Sequence, residues 1–206
     1  MRLWGGELFY GHLLAGASAA VPSYLASPTG GSAANPAVAQ GAGFARIIAN
    51  QPILLDYVFA LNGYISDHTR IFAVDSLPDD LLAAHAAMLQ IQARIKKEAR
   101  PGVSAGYLYD LAVHMASQAG YEEHFMGAEA QRILFIGHGV GLELDEFPFL
   151  AKGQEMPLQE NMVLALEPKL VFPGQGVVGI ENTHVVTKDG LQQLGHYPDE
   201  VCIVHN

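Results

Sequence analysis

The chain has 206 residues, half of them hydrophobic and 16% charged, so it is long enough and apolar enough to bury a sizeable core. A formal net charge of −10 argues against nucleic acid or an anionic membrane as a binding partner. Cys202 is the single cysteine, which excludes an internal disulfide, and no run approaches the roughly 18 apolar residues of a membrane-spanning helix, so a cytoplasmic protein is expected.

The N-terminal part of the chain predicts one strand followed by a long loop. The residues from Trp4 to Leu14 alternate loosely, which is typical of a strand. Residues 16–43 are rich in Gly, Ala, Ser and Pro, and a loop of this length inside a compact domain is usually functional or disordered. We expect no domain boundary there, because the element that follows needs flanking strands to be stable.

A β-hairpin is the strongest local signal in the sequence. Two runs rich in β-branched and aromatic residues flank Asn62-Gly63 within residues 53–72, and an Asn-Gly pair favours a two-residue type I′ turn. This turn places Asp56 opposite Thr69. Because side chains alternate across a strand, Asp56 and Asp67 then share one face as diagonal neighbours, roughly 7–8 Å apart at the backbone.

The two aspartates point to a bound cation. A buried, unpaired carboxylate would lose its hydration and repel its neighbour, so a positive charge should lie between Asp56 and Asp67. A pair of divalent metal ions about 3.5–4 Å apart would fit that gap. The alternative is an exposed hairpin that carries two solvated acids.

Two helices are predicted after the hairpin. The Pro-Asp-Asp sequence at residues 78–80 is typical of a helix start, and this helix is expected to run to about Ala99, where Arg-Pro-Gly stops it. Ser104 can cap a second helix that ends near Gly120. The buried face of the first helix is predicted to contain Leu81, Leu82, Met88, Leu89, Ile91 and Ile95.

The second half of the chain contributes further strands and three more candidate ligands. Strands are expected over residues 132–141, 161–168 and 176–187. His138 lies between two glycines, where neighbouring backbone can approach closely. Glu167 ends an apolar run and Glu181 stands within one, and an acid in an apolar strand is typical of ion pairing or metal binding. Taken singly, each of these side chains could also be a partly exposed strand end.

Together the two aspartates, the histidine and the two glutamates resemble the ligand set of the pita-bread metallopeptidases, which include methionine aminopeptidase, aminopeptidase P and prolidase. The short interval between Glu167 and Glu181 resembles the prolidase and aminopeptidase P branch. The motifs that carry the resemblance are Asp56…Asn62-Gly63-Tyr64…Asp67-His68-Thr69-Arg70, Gly137-His138-Gly139-Val140-Gly141-Leu142-Glu143, Leu166-Glu167-Pro168 and Gly179-Ile180-Glu181-Asn182-Thr183.

The resemblance implies an α+β pita-bread fold, a curved and mainly antiparallel sheet with helices on its outer face. It implies a single catalytic domain over residues 1–206, without the first helix and the N-terminal domain of the relatives. It also implies a homodimer and a small peptide or another small molecule as substrate, with no nucleic acid and no membrane as partner.

The resemblance further implies a dinuclear metal centre. Asp67 and Glu181 would bridge the two ions, Asp56 would bind one of them, and His138 with Glu167 would bind the other. Such donors suit manganese, cobalt, iron or zinc. A bridging water, acidified to hydroxide, would attack the scissile amide of an Xaa-Pro peptide while Glu167 transfers the proton.

Two departures from the family concern the groups that would hold the substrate and stabilise the oxyanion. Asp145 stands where the family peptidases carry a second histidine after His138, and residues 35–43 contain no histidine where the family has another. Removing one oxyanion donor typically costs ~2.7–4 kcal/mol of barrier. His12, near the start of the loop, is a candidate replacement, with a structural role as its alternative.

Two further functions are alternatives to the peptidase, and Asp145 bears on the first of them. As a base or as a partner for a cationic nitrogen, it would suit a non-peptidase enzyme on the same site, such as a lyase or a C–N hydrolase. The other alternative is a binding module with the pita-bread shape, as in histone-chaperone relatives. Those modules generally lose the metal ligands, whereas this sequence keeps Asp56, Asp67, His138, Glu167 and Glu181.

Overall fold

The structure is a computed structural model that describes residues 11–23, 27–35, 37, 40–128 and 131–205. Within these residues the chain forms ten strands and two α-helices. The elements are β1 (Gly11–Ala15), β2 (Ile53–Leu61), β3 (Tyr64–Val74), α1 (Asp79–Glu98), α2 (Ala105–Gln118), β4 (Gly137–Gly139), β5 (Val163–Leu166), β6 (Lys169–Phe172), β7 (Gly176–Gly179), β8 (Asn182–Thr187), β9 (Gly190–Gln193) and β10 (Cys202–Val204). The strand predicted from Trp4 begins outside the described residues, and β1 includes its end.

The predicted hairpin is confirmed by the pairing of β2 with β3. The register places Asp56 opposite Thr69. Asn62 and Gly63 have φ angles of 53° and 87°, the left-handed conformation that a type I′ turn requires. The alternative of an exposed hairpin with solvated acids is wrong, because Asp67 is only 6% exposed.

The strands of the described residues form two four-stranded sheets and a two-stranded ribbon. The first sheet has the order β1-β2-β3-β10, the second has the order β4-β5-β8-β9, and the ribbon is β6-β7. The strand pairs are antiparallel except β10 with β3. An isolated bridge between Thr69 and Glu181 joins the two sheets. Mainly antiparallel strands with separate helices confirm the α+β class.

The strands of the second half are shorter than predicted, and one interruption positions a candidate ligand. The strand expected over residues 176–187 breaks between β7 and β8, so Glu181 leaves the ribbon. Glu181 and Thr69 exchange backbone hydrogen bonds instead, at 3.2 and 3.4 Å. The strand expected over residues 132–141 is reduced to β4, while β6 was not predicted at all.

Both helices form where the sequence predicts them. Ser104 caps α2, since its Oγ accepts a hydrogen bond from the backbone N–H of Tyr107 at 3.3 Å. α1 packs against β6, β7 and β9, and most of the residues predicted for its buried face are buried there. Leu82 is an exception at 38% exposure, because it lies on the solvent side of the helix. Of the two helices in the described residues, neither is long and apolar enough to cross a membrane.

Candidate metal centre

The five predicted ligands come from both halves of the chain and meet at one place between the sheets. Four of them are at most 6% exposed, and the side chain of the fifth, Asp56, is 14% exposed. The hairpin supplies two of them and the second half supplies the other three. They are Asp56 on β2, Asp67 on β3, His138 on β4, Glu167 directly after β5 and Glu181 between β7 and β8.

Three of these side chains form a compact donor cluster. One ligand atom each of Asp67, His138 and Glu181 lies within 4.8 Å of the other two. Burial raises the pKa of Asp67 well above its usual value, and the negative charges of Glu181 and Asp56 raise it further. Among the described residues, Asp67 Oδ1 is buried without a hydrogen-bond partner. A buried acid in this state is typical of a site that needs a cation.

His138 is held by its glycine neighbours. A Cβ on Gly137 would collide with the carbonyl oxygen of Ala165, and one on Gly139 would lie 2.7 Å from the carbonyl oxygen of Phe147. The ring Nδ1 lies 3.0 Å from the carbonyl oxygen of Gly139, which can only accept, so Nδ1 carries the proton. In the neutral ring the lone pair is then on Nε2, which lies 3.7 Å from Glu167 Oε1 and is available to a metal ion.

Threonine hydroxyl groups bind the carboxylate of Glu181 and the backbone of Asp67. Thr69 Oγ1 donates to Glu181 Oε2 at 2.8 Å. Thr183 Oγ1 accepts from the backbone N–H of Asp67 at 2.9 Å and donates to the Asp67 carbonyl oxygen at 3.0 Å. Arg70 adds a bond of 2.9 Å from its guanidinium to the carbonyl oxygen of Glu181. These contacts fix the Glu181 carboxylate and the backbone that carries Asp67.

A lysine that was not predicted lies in the middle of the acids. Lys169 is fully buried, and its Nζ lies 2.7 Å from Glu167 Oε2, 2.7 Å from Glu181 Oε2 and 3.5 Å from Asp56 Oδ2. Burial alone would lower the pKa of Lys169, but the charges of the three acids outweigh it and raise this pKa well above its usual value. A usable signal was present: Lys169 is the single cation in the apolar run over residues 162–172, two positions after a candidate ligand.

The two remaining predicted catalytic residues lie beside the cluster. Asp145 is on the loop after β4, its side chain is 51% exposed, and its Oδ1 lies 3.6 Å from His138 Nδ1. His12 on β1 is directly opposite Asp56 in the register of the first sheet. Burial lowers the pKa of His12, although the charge of Asp56 opposes this effect. The loop over residues 35–43 is described only in part, since residues 36, 38 and 39 lie outside the described residues.

A cavity of about 340 Å³ lies away from these acids, on the opposite face of the hairpin. Its lining includes Leu55, Tyr57, His68 and Arg70, which alternate with the candidate ligands along β2 and β3. His68 therefore points away from Asp67, as predicted. This cavity has no part in the chemistry of the metal centre.

The donor chemistry fits a divalent metal ion. Carboxylate oxygens and one imidazole nitrogen suit ions such as manganese, cobalt, iron and zinc. One ligand atom each of Asp67, His138 and Glu181 lies within 4.8 Å of the other two, and Asp67 Oδ1 has no hydrogen-bond partner among the described residues. The residues can therefore hold an ion.

Comparison with known proteins agrees with this geometry. The profile of metallopeptidase family M24 matches residues 4–188. An Xaa-Pro dipeptidase from Lactobacillus delbrueckii subsp. lactis is 32% identical over 175 residues, which are 85% of this chain and 45% of that protein.

Solved structures give the same result for the fold. An X-Pro aminopeptidase from Thermotoga maritima MSB8 superposes with a TM-score of 0.79 at 25% identity, over 95% of this chain and 49% of that one. A prolidase from Pyrococcus horikoshii OT3 superposes with a TM-score of 0.76 at 28% identity, over 93% of this chain and 49% of that one. The chain spans about half the length of these relatives or less, and the expected pita-bread fold is confirmed. The protein accordingly belongs to metallopeptidase family M24.

Proposed function

We propose that this chain is the metal-binding catalytic part of a hydrolase that cleaves amide bonds in small peptides of the Xaa-Pro type. The observation that carries the proposal is the buried cluster of Asp67, His138 and Glu181, in which Asp67 Oδ1 has no partner among the described residues. The relatives named as Xaa-Pro dipeptidases support the choice of substrate class.

The residues around the cluster divide the chemistry between them. A divalent ion, when bound, supplies polarisation of the scissile carbonyl and a lowered pKa for a bound water. Glu167 is proposed to take up a proton and pass it to the leaving nitrogen, and its Oε1 is on the side of the cluster, 3.7 Å from His138 Nε2. Lys169 holds the other oxygen of Glu167 at 2.7 Å, which fixes the direction in which Oε1 points.

The surroundings suit a short peptide with a positively charged amino group. Asp145 stands half-exposed beside His138 and offers a negative charge to that amino group. Phe149 and Phe135 have ring centroids 6.4 and 6.3 Å from that of His138, so they supply an apolar wall for a proline ring. His12, opposite Asp56, is the group proposed to donate a hydrogen bond to the oxyanion.

We expect the purified protein, loaded with manganese, cobalt or zinc, to hydrolyse Xaa-Pro dipeptides faster than matched Xaa-Ala dipeptides. Asp67→Asn keeps the shape of the side chain and removes its charge, so it should lower kcat/KM by at least about 100-fold, since even outer contacts of a metal site carry 10–100-fold effects. Chromatographic detection of released proline measures both rates. The absence of hydrolysis with all three metals, or equal rates in wild type and Asp67→Asn, contradicts the proposal.

Asp145→His is expected to raise kcat for an Xaa-Pro dipeptide, while KM rises because the negative charge that would hold the amino group is lost. The imidazole can donate to the oxyanion, and one such donor is worth up to ~2.7–4 kcal/mol, or 10²–10³ in kcat. Asp145→Asn is the matched control, because it removes the negative charge without adding an imidazole. Unchanged kcat in the histidine variant would show that this position does not limit peptide hydrolysis.

A second candidate function follows from the exposure of Asp145. An acid that is 51% exposed beside the cluster can reach a substrate, so it can act as the base of a lyase or a C–N hydrolase. Sulfonium and guanidino acids in the same substrate panel test this function. Under it, Asp145→Asn abolishes turnover, whereas in the peptidase the same variant retains kcat and raises KM.

A further inference from the structure

The candidate metal centre contains a cation of its own. We propose that the ammonium group of Lys169 takes the place of a second metal ion, so that the centre binds one divalent ion, between Asp67, His138 and Glu181. This inference rests on the proposed function, since both need an ion at those three residues. It adds the number of ions that the centre binds. It departs from the two ions that the family resemblance implies.

The contacts of Lys169 use the acids that a second ion would need. Its Nζ lies 2.7 Å from Glu167 Oε2 and from Glu181 Oε2, and 3.5 Å from Asp56 Oδ2. An ammonium group has three N–H donors and no acceptor, so three carboxylate partners use its full capacity. A metal ion placed there would have to bind the same oxygens, and Nζ already fills the space between them.

The backbone around Lys169 fixes the path of the side chain. The backbone N–H of Met126 donates to the Lys169 carbonyl oxygen at 3.0 Å, and the N–H of Lys169 donates to Met126 Sδ at 3.3 Å. Gly179 is directly opposite Lys169 in the ribbon, and a Cβ there would lie 3.0 Å from Lys169 Cγ. The glycine thus leaves room for the lysine stem.

The ligand atoms that Lys169 does not use lie on the side of His138. Glu181 Oε2 accepts from both Lys169 and Thr69, which leaves Glu181 Oε1 for an ion. Glu167 Oε2 is bonded to the lysine, while Oε1 lies 3.7 Å from His138 Nε2. Asp67 Oδ1 is buried and has no partner among the described residues. These atoms supply one coordination site.

Formal charge leads to the same number of ions. The carboxylates of Asp56, Asp67, Glu167 and Glu181 carry four negative charges when ionised, and Lys169 leaves three of them uncompensated. One divalent ion brings the total to a single negative charge. A second would make this buried place positive and would lie beside the ammonium, which is unfavourable at low dielectric.

The number of bound ions tests the inference directly. Wild-type protein dialysed against excess Mn²⁺ should retain one ion per chain by elemental analysis. Its electron paramagnetic resonance spectrum should show the hyperfine pattern of isolated Mn²⁺. Lys169→Met, which keeps the length of the side chain and removes its charge, should retain two ions with the spectrum of a coupled pair. Lys152→Met, at an exposed lysine, is the matched control and should retain one ion.

The ion count and the activity together show whether this inference, the proposed function or both are wrong. Two ions in the wild type overturn the inference and do not affect the hydrolase proposal. One ion without hydrolysis supports the inference and overturns the hydrolase proposal. No bound ion overturns both. If Lys169→Met is folded by circular dichroism and still retains one ion, the lysine is not what excludes the second. If that variant does not fold, the wild-type ion count and spectrum decide the question.

Discussion

Arg70→Met is expected to lower the free energy of unfolding by about 3–5 kcal/mol, because Asp199 loses its ion-pair partner and several buried acceptors lose a charged hydrogen-bond donor. Arg70 is 8% exposed. Its guanidinium donates to the carbonyl oxygens of Thr69 and Glu181 at 2.8 and 2.9 Å and to Asn182 Oδ1 at 2.8 Å. It also lies 3.1 Å from Asp199 Oδ1. Urea unfolding followed by far-ultraviolet circular dichroism measures the loss.

The chain offers a matched control for this change. Arg94 pairs with Glu98 at 2.8 Å on the surface of α1, where its side chain is 53% exposed. Exposed pairs of this kind contribute about 0.2–1 kcal/mol, so Arg94→Met should change stability by no more than that. Equal losses in the two variants would contradict the view that Arg70 holds the Thr69–Glu181 bridge in place.

His184 is expected to destabilise the fold in acid. It is fully buried on β8, and burial, helped by the positive charge of Lys96, lowers its pKa to about 3. The unfolded chain binds a proton at His184 below pH ~6.5, whereas the folded protein does not until about pH 3, so its contribution to stability is lost as the pH falls. Relative to His184→Gln, the wild type should lose about 2.3 kcal/mol between pH 6.5 and 4.5.

The comparison of variants at each pH isolates this effect. Buried acids with a raised pKa, such as Asp56 and Asp67, stabilise the fold as the pH falls, because the folded protein binds their protons more readily than the unfolded chain does. Their contribution is common to wild type and His184→Gln and cancels in the difference. His114→Gln, at an exposed position of α2, should show no such pH-dependent difference. A constant difference between wild type and His184→Gln over this pH range would contradict the expectation.

Local signals made the first half of the fold predictable. The Asn62-Gly63 pair determines the hairpin register by itself, because the turn needs two residues in the left-handed conformation. Ser104 marks the start of α2 through a bond within its own turn. The placement of the two aspartates follows from the hairpin register. Each of these features depends on residues close in sequence.

The features that were missed depend on contacts between distant segments. The strand expected over residues 176–187 is interrupted at Glu181, because the backbone of Glu181 forms hydrogen bonds with that of Thr69, which is distant in the sequence. Lys169 was overlooked because a lysine in an apolar run also suits the end of a strand, and only the pairing of β6 with β7 turns it towards the acids. The place of His12 beside Asp56 depends on the pairing of β1 with β2 across the long loop. Periodicity contains no information about such pairings.

The bridge between Thr69 and Glu181 joins the hairpin to the second half of the chain, and the candidate metal centre takes residues from both. Asp56 and Asp67 come from the hairpin, while His138, Glu167 and Lys169 come from chain that follows both helices. Neither half alone assembles the donor cluster, so a nascent chain still emerging from the ribosome has no competent site until the last ribbon docks. An ion held by these residues would bind the folded chain and not the unfolded one, so raising its free concentration would raise the free energy of unfolding.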